Sequence, residues 1–261
     1  MKLMDYTIQT ISSQLKESYK IILLVFAAAT TLQFSSYIPL EFFESEIVIR
    51  SSTVILPLVV AVSSFVVSKI YGGSKVFGKS YFLLGLGFFT VFLGEVVYFF
   101  IIDPGSDFDN TFLGDIFFLV SYPLVFAHVV INIRYFAEKL EDYQKILLII
   151  VPTITILFYS FLVNLNPFED SSEFYYSLLF VAESAIMLGL TIVAFTVFRH
   201  TALFVPWFLL LIGFLIGVVG DVAYNYAYTI GFFDFGNPSL GLWLASNMML
   251  VYALYKHQKS I

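Results

Sequence analysis

Cysteine is missing from the sequence and charged residues are scarce. Without cysteine the chain forms no disulfide, thiolate metal site or iron–sulfur cluster, and it has no cysteine nucleophile. Only 12% of the residues are charged, whereas about 25% are charged in a soluble domain. The glycine loops that bind nucleotides and the HExxH zinc motif are also absent. The net charge of −6 argues against nucleic-acid binding, which requires basic patches.

Histidine and lysine are rare inside the apolar runs. His128 is the one histidine well inside a run, whereas a catalytic zinc site needs about three protein ligands. We therefore predict neither a metal site nor a cofactor. No lysine lies near the centre of a run, which leaves a retinal Schiff base without an attachment point.

Apolar residues make up 59% of the chain, including 31 Phe and 17 Tyr. A soluble fold of this size could not bury so much apolar surface, so lipid is the simplest solvent for it. The continuous runs exclude the alternating strands of a membrane barrel. We predict an all-α, polytopic transmembrane helix bundle of about eight spans. The spans are expected at 20–40, 52–71, 80–102, 112–133, 144–164, 174–198, 203–229 and 238–255.

The basic residues predict the orientation. An arrangement of eight spans with both termini in the cytoplasm places twelve of the 13 Lys and Arg residues on the cytoplasmic side. The remaining loops are acidic, and Arg50 is the exception. We therefore predict a multi-pass protein of the cell membrane. Residues 1–18 form a cytoplasmic segment, in which Met4, Ile8 and Leu15 share one face of a short interfacial helix.

An internal repeat relates the third and seventh runs. Residues 82–98 and 208–224 are identical at eight of seventeen positions without a gap, and Glu95 aligns with Asp221. This match predicts a four-plus-four parallel repeat, with halves at 19–139 and 140–261. Chance matching between runs rich in Leu and Phe is the alternative.

Four acidic residues lie inside the predicted spans, all in their outer halves: Glu95, Asp115, Glu183 and Asp221. Charged groups at this depth are costly and usually face a cavity or a partner. We therefore take these four as candidate ligand-binding residues.

Tyrosines accompany two of the acids. Asp221, Tyr224, Asn225 and Tyr228 follow the spacing of one helical face, and Tyr98 repeats this acid–Tyr element after Glu95. Two facing acids ringed by tyrosines suit a cation, an amine or a shared proton. The alternative is that each carboxyl is a structural hydrogen-bonding hub.

The fourth span adds further candidates. Asp115 and Tyr122 share one face, and His128 lies on an adjoining face with Ser121 and Asn132. His128 suits a proton relay or a metal ligand, or alternatively a buried histidine bonded within the core. The pair Tyr175–Tyr176 flanks a span and predicts an interfacial aromatic belt.

The stretch GEVVYFFIIDPGSDFDNTFLGDIFFLVSYPLVFAHVV resembles the polytopic membrane region found before diguanylate cyclase and histidine kinase domains. The resemblance rests on Gly94-Glu95, Tyr98, Asp115 and Tyr122-Pro123, and on a second copy from Gly220-Asp221 to Tyr228. It implies an input module that senses a signal, here without an output domain. Such a module would act alone, as a homodimer or with a separate signalling partner.

Two other functions stay open. Gly114–His128 is similar to small multi-span lysoplasmalogenases, which implies an intramembrane enzyme that acts on lipid through the acids and His128. Paired carboxylates near a repeat interface favour a proton- or cation-coupled transporter. We favour a non-enzymatic sensor that binds a small cation, amine or lipid in a polar pocket in the outer half of the bilayer, in contact with membrane lipids.

Overall fold

The computed structural model describes residues 2–35, 37, 45–100, 111–166, 171–232 and 237–260. Every regular element in these ranges is an α-helix, which confirms the predicted all-α class. The helices are α1 Lys2–Ser35, α2 Ser45–Ile70, α3 Phe77–Phe100, α4 Thr111–Phe136, α5 Asp142–Asn164, α6 Ser171–Phe198, α7 Phe204–Thr229 and α8 Pro238–Lys259.

Seven of the helices in the described ranges, α1 to α7, are long and apolar enough to cross a membrane. The chain is thus a multi-pass helical membrane protein. The helix α8 has 22 residues but is less apolar than α2 to α7. Its polar residues Ser246, Asn247 and His257 are buried within the protein. Because they do not contact lipid, they do not prevent the helix from lying in a membrane.

Two helix boundaries differ from the sequence prediction. The helix α1 begins at Lys2 and continues unbroken into the first span, so the leader is not a separate short helix. The helix α2 begins at Ser45, seven residues before its predicted start, although it carries Arg50. The Arg50 guanidinium lies 5.2 Å from the centre of the Phe99 ring, and such a cation–π contact offsets part of the cost of the charge.

The bundle has two ends. The last turns of α1, α3, α5 and α7 and the first turns of α2, α4, α6 and α8 form one end, which we call the acidic end and which corresponds to the predicted outer side. The basic end carries the connections α2–α3, α4–α5 and α6–α7 and the last turn of α8. The helix pairs α3–α4 and α7–α8 pack closely, α2 packs on α8, and α4 packs on α6.

Glycines permit the close approach of α3 to α4 and of α7 to α8. A methyl group on Gly87 would lie 2.6 Å from Val125, and one on Gly213 would lie 2.8 Å from Leu250. These glycines align at the repeat shift, so the two hairpins pack alike at this level. The four-plus-four repeat itself stays a prediction.

One apolar core joins both predicted halves. It includes Val25 and Ile49 from the first half and Trp207 and Leu254 from the second, all buried. By contrast, α5 presents a row of exposed apolar side chains that includes Ile149, Leu157 and Phe161. Lipid would cover such a row in a membrane protein.

Candidate functional site

Asp115 lies in the second turn of α4 at the acidic end, and its side chain is only 8% exposed. The Tyr98 hydroxyl of α3 donates a hydrogen bond to Oδ1 of Asp115 over 2.6 Å. The Tyr176 hydroxyl of α6 donates a short hydrogen bond to Oδ2. Both carboxyl oxygens therefore have donors, and the three groups connect α3, α4 and α6.

Gly114 explains how Tyr98 reaches Asp115. A methyl group on Gly114 would lie 2.5 Å from the Tyr98 ring, a distance that real contacts do not allow. The bare backbone therefore leaves the space in which the ring lies. The Gly–Asp dipeptide acts as one structural unit, in which the glycine admits the aromatic ring and the aspartate accepts its hydroxyl.

Asp221 forms a second carboxyl site on α7. The Trp243 indole of α8 donates to Oδ1 over 2.8 Å, and the Tyr122 hydroxyl of α4 donates to Oδ2 over a longer 3.4 Å. Ser184 of α6 lies beside the same carboxyl. Asn225 does not bond to the carboxyl, because its amide donates to the Asp221 backbone carbonyl over 2.8 Å.

Gly220 gives Trp243 its space in the same way. A methyl group there would lie 2.8 Å from Cδ1 and 2.9 Å from Nε1 of the indole. Both Gly–Asp pairs thus admit an aromatic donor from the neighbouring helix of their hairpin.

Tyrosine rings of α7 lie beside the two aspartates. The Tyr224 ring centre is 5.0 Å from that of Trp243 and 6.2 Å from that of Tyr228, with which it stacks. Tyr224 and Tyr228 are both close enough to Asp115 to interact with it electrostatically. Tyrosines from α3, α6 and α7 therefore lie within hydrogen-bond or electrostatic reach of Asp115.

The two glutamates lie at the margins of this group. Glu95 neighbours the Thr53 hydroxyl of α2 and interacts electrostatically with Tyr224. Glu183 lies midway along α6, near Tyr122. Its Oε2 atom is buried and has no hydrogen-bond partner among the described residues.

His128 lies apart from Asp115 on the same helix. It follows Asp115 by thirteen residues on α4, which corresponds to about 20 Å along a helix. It is fully buried, and its ring stacks on Trp207 with centres 5.7 Å apart. The candidate residues therefore divide in two. The four acids and the tyrosines and Trp243 near them form what we call the acidic-end group, and His128 lies in the basic half.

Two donors in the acidic-end group escaped the sequence analysis. Tyr176 was predicted to be part of an interfacial belt, and 68% exposed Tyr175 fits that prediction, but Tyr176 bonds to Asp115. No sequence pattern singled out Trp243. The glycine before each aspartate was the only sequence feature that indicated an aromatic ring packed against the backbone at that position.

This arrangement suits binding of a positive charge by carboxyl groups and aromatic faces. Among the described residues, no three His, Asp or Glu side chains come together to hold a metal ion. Comparison of the chain with protein-family models, curated proteins and solved structures finds no match.

Proposed function

We propose that the chain is a membrane sensor module that binds a small organic cation, such as an amine, at the acidic end. The observation that carries the proposal is the surroundings of Asp115. Its carboxyl is almost fully buried, accepts hydrogen bonds from Tyr98 and Tyr176, and interacts electrostatically with Tyr224 and Tyr228. An ammonium group would find both a counter-charge and ring faces there.

The same contacts supply a route for a signal. Asp115 and Tyr176 connect α4 to α6, a contact between the two predicted halves at the acidic end. A cation bound at Asp115 would compete with the tyrosine hydroxyls for the carboxyl oxygens. Release of Tyr176 would loosen the α4–α6 contact, and a ligand that favours the loosened state shifts the population toward it.

Thermal unfolding in lipid nanodiscs tests the binding step. The probes are methylammonium and tetramethylammonium chloride, with sodium chloride at equal ionic strength as the reference. We expect an organic cation to raise the melting temperature of the wild type by several degrees and to leave Asp115→Asn unchanged. The matched control is Asp142→Asn, because Asp142 is 92% exposed at the basic end and pairs with Lys145.

Equal shifts in the wild type and Asp115→Asn would contradict the proposal, as would the absence of any shift. Tyr176→Phe provides a second variant that retains the carboxyl. It should still bind the cation, and it should bind more tightly because one competing donor is gone.

Glu183 favours a second function, proton- or cation-coupled transport. Its unpartnered Oε2 lies at the middle of a spanning helix, where coupling groups of transporters are found. Flux of protons or of the same cations into liposomes would support this function if Glu183→Gln abolished the flux. The lipid-acting enzyme has less support, because His128 is about 20 Å along α4 from Asp115.

The orientation belongs to the same proposal. We place the protein in the cell membrane with both termini in the cytoplasm, in contact with lipids and acting as a homodimer or with a separate signalling partner. Since the chain has no cysteine, single-cysteine variants report accessibility without background. Ser260→Cys should react with an impermeant thiol reagent only after the cells are opened.

A further inference from the structure

A second polar group lies in the basic half of the bundle. His128 of α4 and His257 of α8 flank Tyr81 of α3, each with its ring centre 4.7 Å from the Tyr81 ring centre. Trp207 of α7 stacks on His128, and the Asn132 amide donates to the His128 backbone carbonyl over 2.8 Å. We call these five residues the inner polar group.

All five side chains are buried, with exposures of 0% for Tyr81, His128, Asn132 and Trp207 and 1% for His257. Six of their polar atoms are buried without a hydrogen-bond partner among the described residues. These atoms are Tyr81 Oη, His128 Nδ1 and Nε2, Asn132 Oδ1, Trp207 Nε1 and His257 Nε2. The Ser80 backbone lies close to the His128 ring, but without the geometry of a hydrogen bond.

So many unmet hydrogen bonds in one place are costly. Each buried polar atom without a partner costs about 1–3 kcal/mol, and buried polar groups in folded proteins are otherwise almost always paired. Six such atoms in one group therefore indicate partners that come from outside the chain.

The chemistry of the six atoms requires a partner that both donates and accepts hydrogen bonds. Trp207 Nε1 is a donor only, Asn132 Oδ1 is an acceptor only, and the Tyr81 hydroxyl can do both. A neutral His128 adds one donor and one acceptor. A cation would leave the donors unsatisfied and an anion would leave the acceptors unsatisfied, whereas water donates and accepts.

His257 connects the group to the basic end. Its Nδ1 atom lies 2.9 Å from the hydroxyl of Tyr71, in the loop after α2. Burial raises the pKa of Tyr71 to about 12, so the hydroxyl keeps its proton, and it either donates to Nδ1 or accepts from it, depending on the tautomer of the histidine. In one tautomer Nε2 of His257 is a donor without a partner, and in the other it is an acceptor without a partner.

We propose that the inner polar group is a hydration site, in which ordered water molecules join His128, Tyr81, Asn132 and Trp207 to His257. Through His257 and Tyr71 this water reaches the basic end, so protons exchange between that surface and a buried histidine about midway across the bundle. The site is independent of the cation site, which lies at the opposite end.

The two tryptophans of the chain provide the first test. Protein labelled with ¹⁵N-tryptophan gives two indole N–H signals, which Trp243→Phe assigns. We expect the Trp207 N–H to show a magnetisation-exchange cross-peak with water although the residue is fully buried. Absence of this cross-peak, or a cross-peak to a bound organic molecule in its place, would overturn the proposal.

The sign of a stability change provides the second test. If water bonds to the Tyr81 hydroxyl, Tyr81→Phe removes a hydrogen bond and lowers the melting temperature. If the site is dry, the same change removes an unsatisfied polar atom. The melting temperature then rises or stays unchanged, and this result would overturn the proposal. The control is Tyr159→Phe, because the buried Tyr159 hydroxyl bonds to Thr229 over 2.8 Å and its loss must destabilise.

Discussion

The hairpins α3–α4 and α7–α8 build the same contact with the roles of their helices exchanged. In α3–α4 the aromatic donor, Tyr98, lies on the first helix and the acid, Asp115, on the second. In α7–α8 the acid, Asp221, lies on the first helix and the donor, Trp243, on the second. In both, a glycine next to the aspartate gives the ring its space.

The difference between the hairpins lies in their third partner. Asp115 accepts a hydrogen bond from Tyr176 of α6, in the other predicted half. Asp221 accepts one from Tyr122 of α4, also in the other half, but over 3.4 Å, which is near the limit of a hydrogen bond. We therefore expect the contact through Asp115 to hold the two halves together more strongly than the contact through Asp221.

Replacement of one carboxyl oxygen by an amide nitrogen should separate the two sites most clearly. We expect Asp115→Asn to lower the free energy of unfolding by about 3 kcal/mol, because the amide keeps one acceptor oxygen and leaves one of the two tyrosine hydroxyls without its acceptor. Asp221→Asn should cost about half as much, since one of its two bonds is long. Unfolding in mixed micelles measures both, and equal losses would contradict the comparison.

Closing the glycine space should have the next largest effect. Gly114→Ala should cost about 2 kcal/mol, because the added methyl group displaces the Tyr98 ring or forces a backbone shift. Gly220→Ala should have a similar cost, since it displaces Trp243. If the double variant Gly114→Ala, Tyr98→Leu recovers stability, the ring is the cause of the loss; if it does not, the cause lies elsewhere.

Deletion of one donor should cost less than either change. Tyr98→Phe keeps the ring and removes the hydroxyl, which leaves the buried Oδ1 of Asp115 without its donor and costs about 1–2 kcal/mol. Trp243→Phe also changes the packing and is a poorer comparison. A double-mutant cycle of Tyr98→Phe with Asp115→Asn should show coupling, and strict additivity would refute the bond.

The long bond to Asp221 should contribute least. We expect Tyr122→Phe to change the free energy of unfolding by no more than about 0.5 kcal/mol, because a donor–acceptor distance of 3.4 Å is near the limit of a hydrogen bond. A loss as large as that of Tyr98→Phe would show that the two contacts between the halves are equivalent.

Much of the fold was predictable because each apolar run exceeds the length needed to cross a bilayer. The start of α2 was not predictable from the sequence, because Arg50 is stabilised by a contact with Phe99 on another helix. The merging of the leader with α1 was also missed. The shared face of Met4, Ile8 and Leu15 indicates a helix, but it does not mark whether that helix ends before the first span begins.

The candidate site was predictable in its acids but not in their donors. Asp115 and Asp221 drew attention because charge inside an apolar run is rare. Tyr176 and Trp243 lie on other helices, and the periodicity within one helix carries no information about them. The predicted repeat aligns Asp221 with Glu95. The residue whose contacts resemble those of Asp221 is instead Asp115, since each of these two aspartates accepts a hydrogen bond from an aromatic residue of the neighbouring helix.

Direct binding to Asp115 is the most decisive measurement. Equilibrium dialysis of labelled tetramethylammonium against the protein in nanodiscs should show saturable binding with a single class of sites. The binding should be lost in Asp115→Asn and kept in Asp142→Asn. Undiminished binding to Asp115→Asn, or no saturable binding to the wild type by any small organic cation, would contradict the account.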